Sequence, residues 1–180
     1  MRNLVLVTSL AVCSGCTVTQ PIRDLSVNSV VLDHLEKTSV AVVISESGVR
    51  DVYQNKADNR NWVVTGVRKQ IEDAFRKQLE PTFARVRFVS DPGEAGGADY
   101  VLLPTLRIIS ASRVWTIACI AEFSLIAKDR VGKTLMTREK KVERQFAFTA
   151  QFGSTCGRAT EEAFEAVMER TLEALDSRAR

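Results

Sequence analysis

Apolar positions along this chain follow three rhythms. Val40-Ala41-Val42-Val43-Ile44 is an unbroken, mostly β-branched run, the pattern of a buried strand. A polar stretch over 45–60 reads as a long loop. From Asn61 the rhythm turns helical: Val64, Val67, Ile71, Ala74, Phe75 and Leu79 recur at three-four spacing between charged residues, and Pro81 marks the stop. Arg85-Val86-Arg87-Phe88-Val89 predicts a strand, and Asp91-Pro92-Gly93 and Gly96-Gly97 punctuate the loop after it. Residues 100–109 predict a further strand, in which Pro104 implies an edge or a bulge. Residues 116–128 alternate, with Ile117, Cys119, Ala121, Phe123 and Leu125 on one face and Thr116, Glu122 and Ser124 on the other. Asp129-Arg130-Val131-Gly132-Lys133 predicts a hairpin turn, and a returning strand over 134–148 is apolar only at its ends.

The last element is a helix over about 158–176, with Phe164, Val167, Met168, Thr171, Leu172 and Leu175 on its core face and Glu161 and Glu162 in its first turn. The predicted order is β-α-β-β-β-β-α. The fold class is α+β: a mainly antiparallel sheet of about five strands, with two amphipathic helices on one face. The strand-helix-strand start sets the first two strands parallel.

The first sixteen residues follow a different logic. Arg2 is a positive start, and Leu4 to Val12 is an apolar run too short to span a bilayer, which takes about 20 residues. Cys13-Ser14-Gly15-Cys16 closes the segment. Ser14-Gly15-Cys16 resembles the lipobox of bacterial lipoproteins, with Cys13 standing where that family usually has Leu. The resemblance implies cleavage before Cys16 and acylation of its thiol; several acyl chains anchor stably where one binds only marginally. Thr17 follows, and in Gram-negative lipoproteins Asp at that position retains the protein in the inner membrane. The resemblance therefore implies an outer-membrane anchor with the domain facing the periplasm. The chain divides into a 1–15 leader, a 16–38 segment of lipidated cysteine and tether, and a single 39–180 domain. Extended, residues 17–37 would reach about 70 Å.

After such processing Cys119 and Cys156 remain. In an oxidising compartment they are either a disulfide, joining a central strand to the last helix, or two separately buried thiols. Two cysteines and one distant histidine, His34, are too few ligands for a metal site. His34 reads as an exposed polar residue of the tether. No Lys-Ser/Thr follows the glycines of 93–97, so no phosphate loop forms. No catalytic residue and no cofactor is assigned.

The layout between residues 39 and 175 resembles the small envelope lipoproteins of the YajG type and the periplasmic domain of CsgG-like secretion lipoproteins. The features that carry it are the amphipathic helix, Ala98-Asp99-Tyr100-Val101-Leu102 opening a long strand, the Gly hairpin and the closing helix. The resemblance implies a non-enzymatic role in assembly, scaffolding, transport or secretion, with an envelope protein or a second copy of the chain as partner. It transfers no functional residue.

Composition adds little: 45% hydrophobic and 26% charged residues are globular values, and a net charge of +3 does not point to nucleic acid. One segment stands apart. Lys128, Arg130, Lys133, Arg138, Lys140, Lys141 and Arg144, against three acidic residues, give the hairpin +4. This basic ribbon reads either as a patch for anionic lipid, lipopolysaccharide or peptidoglycan, or as charge that blocks edge-to-edge sheet pairing. Trp62 and Trp115 both read as lids on the core.

Overall fold

The structure, a computed structural model, describes residues 16–180 apart from 24, 31, 33, 114 and 148; the leader at 1–15 lies outside the described residues. Among the described residues the strands are β1 (Thr17–Pro21), β2 (Ser39–Val43), β3 (Tyr53–Ala57), β4 (Arg60–Thr65), β5 (Arg85–Val89), β6 (Tyr100–Ser112), β7 (Ile117–Asp129) and β8 (Thr134–Phe146). The helices are α1 (Val67–Leu79) and α2 (Phe152–Ala179). The fold is α+β with two mixed sheets, of five and three strands.

The larger sheet has the order β5-β2-β6-β7-β8. It corrects the expectation of a mainly antiparallel sheet. β2 pairs parallel with β5, as the strand-helix-strand start predicts, and also parallel with β6. Only the β6-β7-β8 meander is antiparallel. Its second turn has Gly132 at φ 84°, the left-handed conformation for which glycine is suited.

Both helices lie on one face of this sheet. Phe75 of α1 meets Phe164 of α2 edge-on at 4.9 Å, and both rings reach Phe123 of β7, at 6.4 and 5.3 Å. The Cys119–Cys156 disulfide ties β7 to the second turn of α2, with both cysteines fully buried.

The smaller sheet, ordered β1-β4-β3, occupies chain that the hydrophobic pattern assigns to a tether, a loop and the start of a helix. Residues 53–65 form a hairpin, because Asp58 and Asn59 adopt φ 51° and 56°, as a two-residue type I′ turn requires. Trp62-Val63-Val64-Thr65 is a strong strand former, and Gly66 at φ 72° separates it from α1. The helix consequently begins at Val67 rather than at Asn61.

Side chains, rather than a strand ladder, fasten this sheet to β6. The pairing of β2 with β6 stops at Leu102, leaving the upper part of β6 without a partner strand on that side. Pro104 falls there, locally at an edge as its missing N–H demands. The Tyr53 hydroxyl donates to the Leu106 carbonyl at 2.8 Å, and the Asn55 amide donates to the Ile108 carbonyl at 2.8 Å. The Leu106 N–H donates to the Gly48 carbonyl at 2.9 Å. Burial pushes the Tyr53 phenol above its ordinary value, which keeps it a donor.

Asp99 joins β6 to β2 at the other end. It accepts the Ser39 N–H at 2.8 Å and the Ser39 hydroxyl at 2.7 Å, and these hydrogen bonds, the side-chain one foremost, hold its carboxyl below the usual aspartate value. A lowered value means that its stabilisation is complete above the ordinary aspartate range and fades as the pH falls below it. Asp99→Ala is expected to cost about 1–2 kcal/mol at neutral pH, and urea titrations should show the difference from the parent chain shrinking in acid.

Candidate functional site

Cys16 is exposed, and its carbonyl accepts the Asn61 N–H at 3.2 Å. The next residue, Thr17, is already in β1, which runs parallel to β4. The extended tether expected over 17–37 is therefore replaced by an arm bound to the domain. Its apolar residues explain why: Ile22, Leu25 and Leu35 are buried in the main core.

Polar contacts hold the rest of the arm along both helices. Gln20 accepts the Gly153 N–H at the first turn of α2 and donates to the Thr149 carbonyl, each at 2.8 Å. Glu161 accepts the Ser26 N–H at 2.7 Å, and Glu165 accepts the Asn28 N–H at 3.1 Å. From α1, Lys77 and Gln78 donate to the carbonyls of Leu25 and Asn28, and Thr82 just beyond it donates to that of Val30.

The arm also explains why α2 begins six residues before the expected position. A Cβ on Gly153 would lie 2.5 Å from the Pro21 carbonyl oxygen, and one on Gly157 would lie 3.7 Å from the Arg23 backbone. Gly153 admits the arm, Gly157 leaves ordinary contact distance to it, and neither interrupts the helix. Glu161 and Glu162 thus lie well inside α2 rather than in its first turn, one on the arm and the other ion-paired with Arg144.

At the end of the arm His34 contacts Asp176, backbone N–H and ring both at 3.2–3.3 Å. Burial would raise the Asp176 carboxyl, but Arg180 and His34 outweigh it and hold the group below its ordinary value. His34 is thus a fastening of the arm, with Asp176 largely enclosed beneath it.

Cross-strand register places the basic residues of the hairpin on opposite faces. Arg138, Lys140 and Arg144 stand opposite Leu125, Phe123 and Cys119, on the helix side; Lys141 stands opposite Glu122, on the other. Lys141 and Arg107 both pair with Glu122, at 2.9 and 3.7 Å. Lys128, Arg130 and Lys133 lie around the β7-β8 turn, about 40 Å along β7 from the end that holds Cys16. The ribbon is therefore not one surface, and its residues line an exposed edge strand.

The two tryptophans part company. Trp62 is fully buried, as expected of a core lid. Trp115, read the same way, is instead 91% exposed in the turn between β6 and β7. With Arg113, Thr116 and Phe146 it borders a shallow cleft of about 350 Å³, which Asp58, Arg60 and Trp62 also line. Arg113 forks over Glu143 at 2.7 and 2.8 Å, so its charge is spent within the wall. The exposure of Trp115 has no signal in the sequence, since Val114 and Ile117 flank it as core residues would.

Among the described residues no group of three or more His, Cys, Asp or Glu side chains could hold a metal ion, and no helix is long and apolar enough to cross a membrane.

No protein-family model matches the chain, and no curated protein does. Solved structures do share its fold. The Xanthomonas campestris protein XCC0632, of the DUF330 family, superposes with a TM-score of 0.63 at 13% identity, over 91% of this chain and 98% of that one. The hypothetical protein CT253 of Chlamydia trachomatis superposes at 0.50, with 11% identity, over 76% and 96%. Lipoprotein GNA1162 of Neisseria meningitidis reaches only 0.40, with 12% identity over 76% and 99%, too loose to carry an argument. At these identities the likeness is one of fold: this chain shares the architecture of XCC0632 over nearly the whole of both.

Proposed function

We propose that this chain is an envelope lipoprotein, anchored in the outer membrane by acylation of Cys16, with its domain in the periplasm. It serves a non-enzymatic assembly, scaffolding or transport-accessory role through contacts with an envelope protein or with a second copy of itself. The observation that carries the anchor is the exposure of Cys16 directly before β1. Among the described residues, β1 begins one residue after the cysteine that the Ser14-Gly15-Cys16 pattern marks for cleavage, and that cysteine is exposed. The likeness to YajG-type and CsgG-like lipoproteins belongs to the same reading.

Protein contact is favoured over an anionic ligand because the hairpin's basic residues divide between two faces and two of them, Lys141 and Arg144, are ion-paired. The face of the large sheet away from the helices offers a contact surface: Leu103, Ile109 and Ile126 are half-buried there, beside the Arg107–Glu122–Lys141 ladder.

In-cell crosslinking of the lipidated chain, followed by mass spectrometry, tests the proposal. The expected result is capture of one dominant envelope protein or of the chain itself, unchanged by Arg138→Glu with Lys140→Glu, both on the helix side of β8. If that charge reversal instead abolishes binding to lipopolysaccharide, peptidoglycan or anionic lipid, while no protein is captured, the chain is a ligand-binding module.

A further inference from the structure

Cys16 and Trp115 lie at the same end of the molecule. Asn61, which donates its N–H to the Cys16 carbonyl, is flanked by Arg60 and Trp62, and these line the same cleft as Trp115. No slack separates the cysteine from the fold, since Thr17 is already paired with Asn61. Acyl chains on Cys16 would therefore draw this end of the domain, and not a distant one, to the bilayer. Trp115 is 91% exposed there, and no core contact accounts for it. An indole, apolar with a polar N–H, favours the boundary between headgroups and hydrocarbon.

We propose that this end is a membrane-contact face, in which Trp115 enters the headgroup region of the same phospholipid leaflet that holds the Cys16 acyl chains. The inference rests on the reading of Cys16 as acylated. It gives the domain a fixed orientation: the turn between β6 and β7 faces the membrane, and the turn between β7 and β8, with Val131 87% exposed, points away.

The test uses the full lipidated chain in vesicles of phosphatidylethanolamine and phosphatidylglycerol, with and without bromine on the acyl chains. The mass of the purified chain is measured first. Trp62 is fully buried and common to both chains, so the difference between the parent chain and Trp115→Phe isolates the Trp115 emission. That emission is expected to shift to the blue and to be quenched by brominated lipid, while a Val131→Trp reporter in the Trp115→Phe background stays unquenched. An acylated chain whose Trp115 emission is unquenched, including one shifted to the blue by self-association, overturns the inference and leaves the anchor standing. Quenching of the Val131→Trp reporter instead overturns the orientation. An unmodified Cys16 overturns both the inference and the reading beneath it.

Discussion

Replacing Cys119 and Cys156 together by alanine is expected to lower stability by about 4 kcal/mol, the value that chain entropy gives for a bond closing a loop of this length. The bond joins residues 37 apart, with both cysteines fully enclosed between β7 and α2. It acts chiefly on the unfolded chain, by holding the meander against the final helix. The alanine pair leaves only a small packing defect, because a buried cysteine is otherwise a small apolar group. Urea unfolding should therefore show a lower midpoint together with a steeper slope, since the unlinked chain exposes more surface when it opens. Reductant alone should leave the native protein intact until denaturant exposes the bond. A loss below 1 kcal/mol, or two titratable thiols in chain denatured without reductant, would show that the bond does not form in the cell.

Elements that bury one face by a regular period were legible in the sequence. The alternation of Ile117, Cys119, Ala121, Phe123 and Leu125 predicts β7, and Ile71, Phe75 and Leu79 predict most of α1, because the hydrophobic pattern reports the face each presents to the core. The turn at Asp129 to Lys133 was legible from its glycine. The small sheet was not. Its edge strand β1 offers one apolar side chain, Val18, to the core, so Thr17-Val18-Thr19-Gln20-Pro21 carries no strong periodicity. In β4, Val64 fits a helical spacing as well as a strand, and only Gly66 beyond it breaks the ambiguity. The early start of α2 was hidden for a tertiary reason: Gly153, a poor helix former, makes room for a backbone from the other end of the chain, a demand that local propensity does not encode. The candidate site shares this origin. The motif at Cys16 is local and readable, whereas its juxtaposition with Trp115 depends on β1 pairing with β4.

Trp62→Ala is expected to cost about 3–5 kcal/mol, the usual range for emptying a buried large aromatic site. Trp62 is the rivet between the two sheets. From β4 its ring meets Phe146 at the end of β8 at 5.3 Å and Phe152 at the start of α2 at 4.8 Å, and its indole N–H donates to the Ala57 carbonyl at 3.0 Å. Trp62→Phe keeps much of the ring packing and loses that hydrogen bond, so it should cost far less. The damage from alanine should also be local before it is global. β1 is held by β4 on one side and by Gln20 and Gly153 at α2 on the other, so loosening β4 frees the arm first. Limited proteolysis of the alanine variant should cut within 17–37 while the disulfide-bonded body is still protected. Simultaneous loss of all regions would show instead that the small sheet and the body unfold as one unit. The distinction bears on the proposed function, because acylation of Cys16, as proposed, would depend on the segment before it and not on Trp62. The variant should remain in the membrane fraction, yet its domain would hang on a true tether of about 70 Å, no longer seated by its first strand.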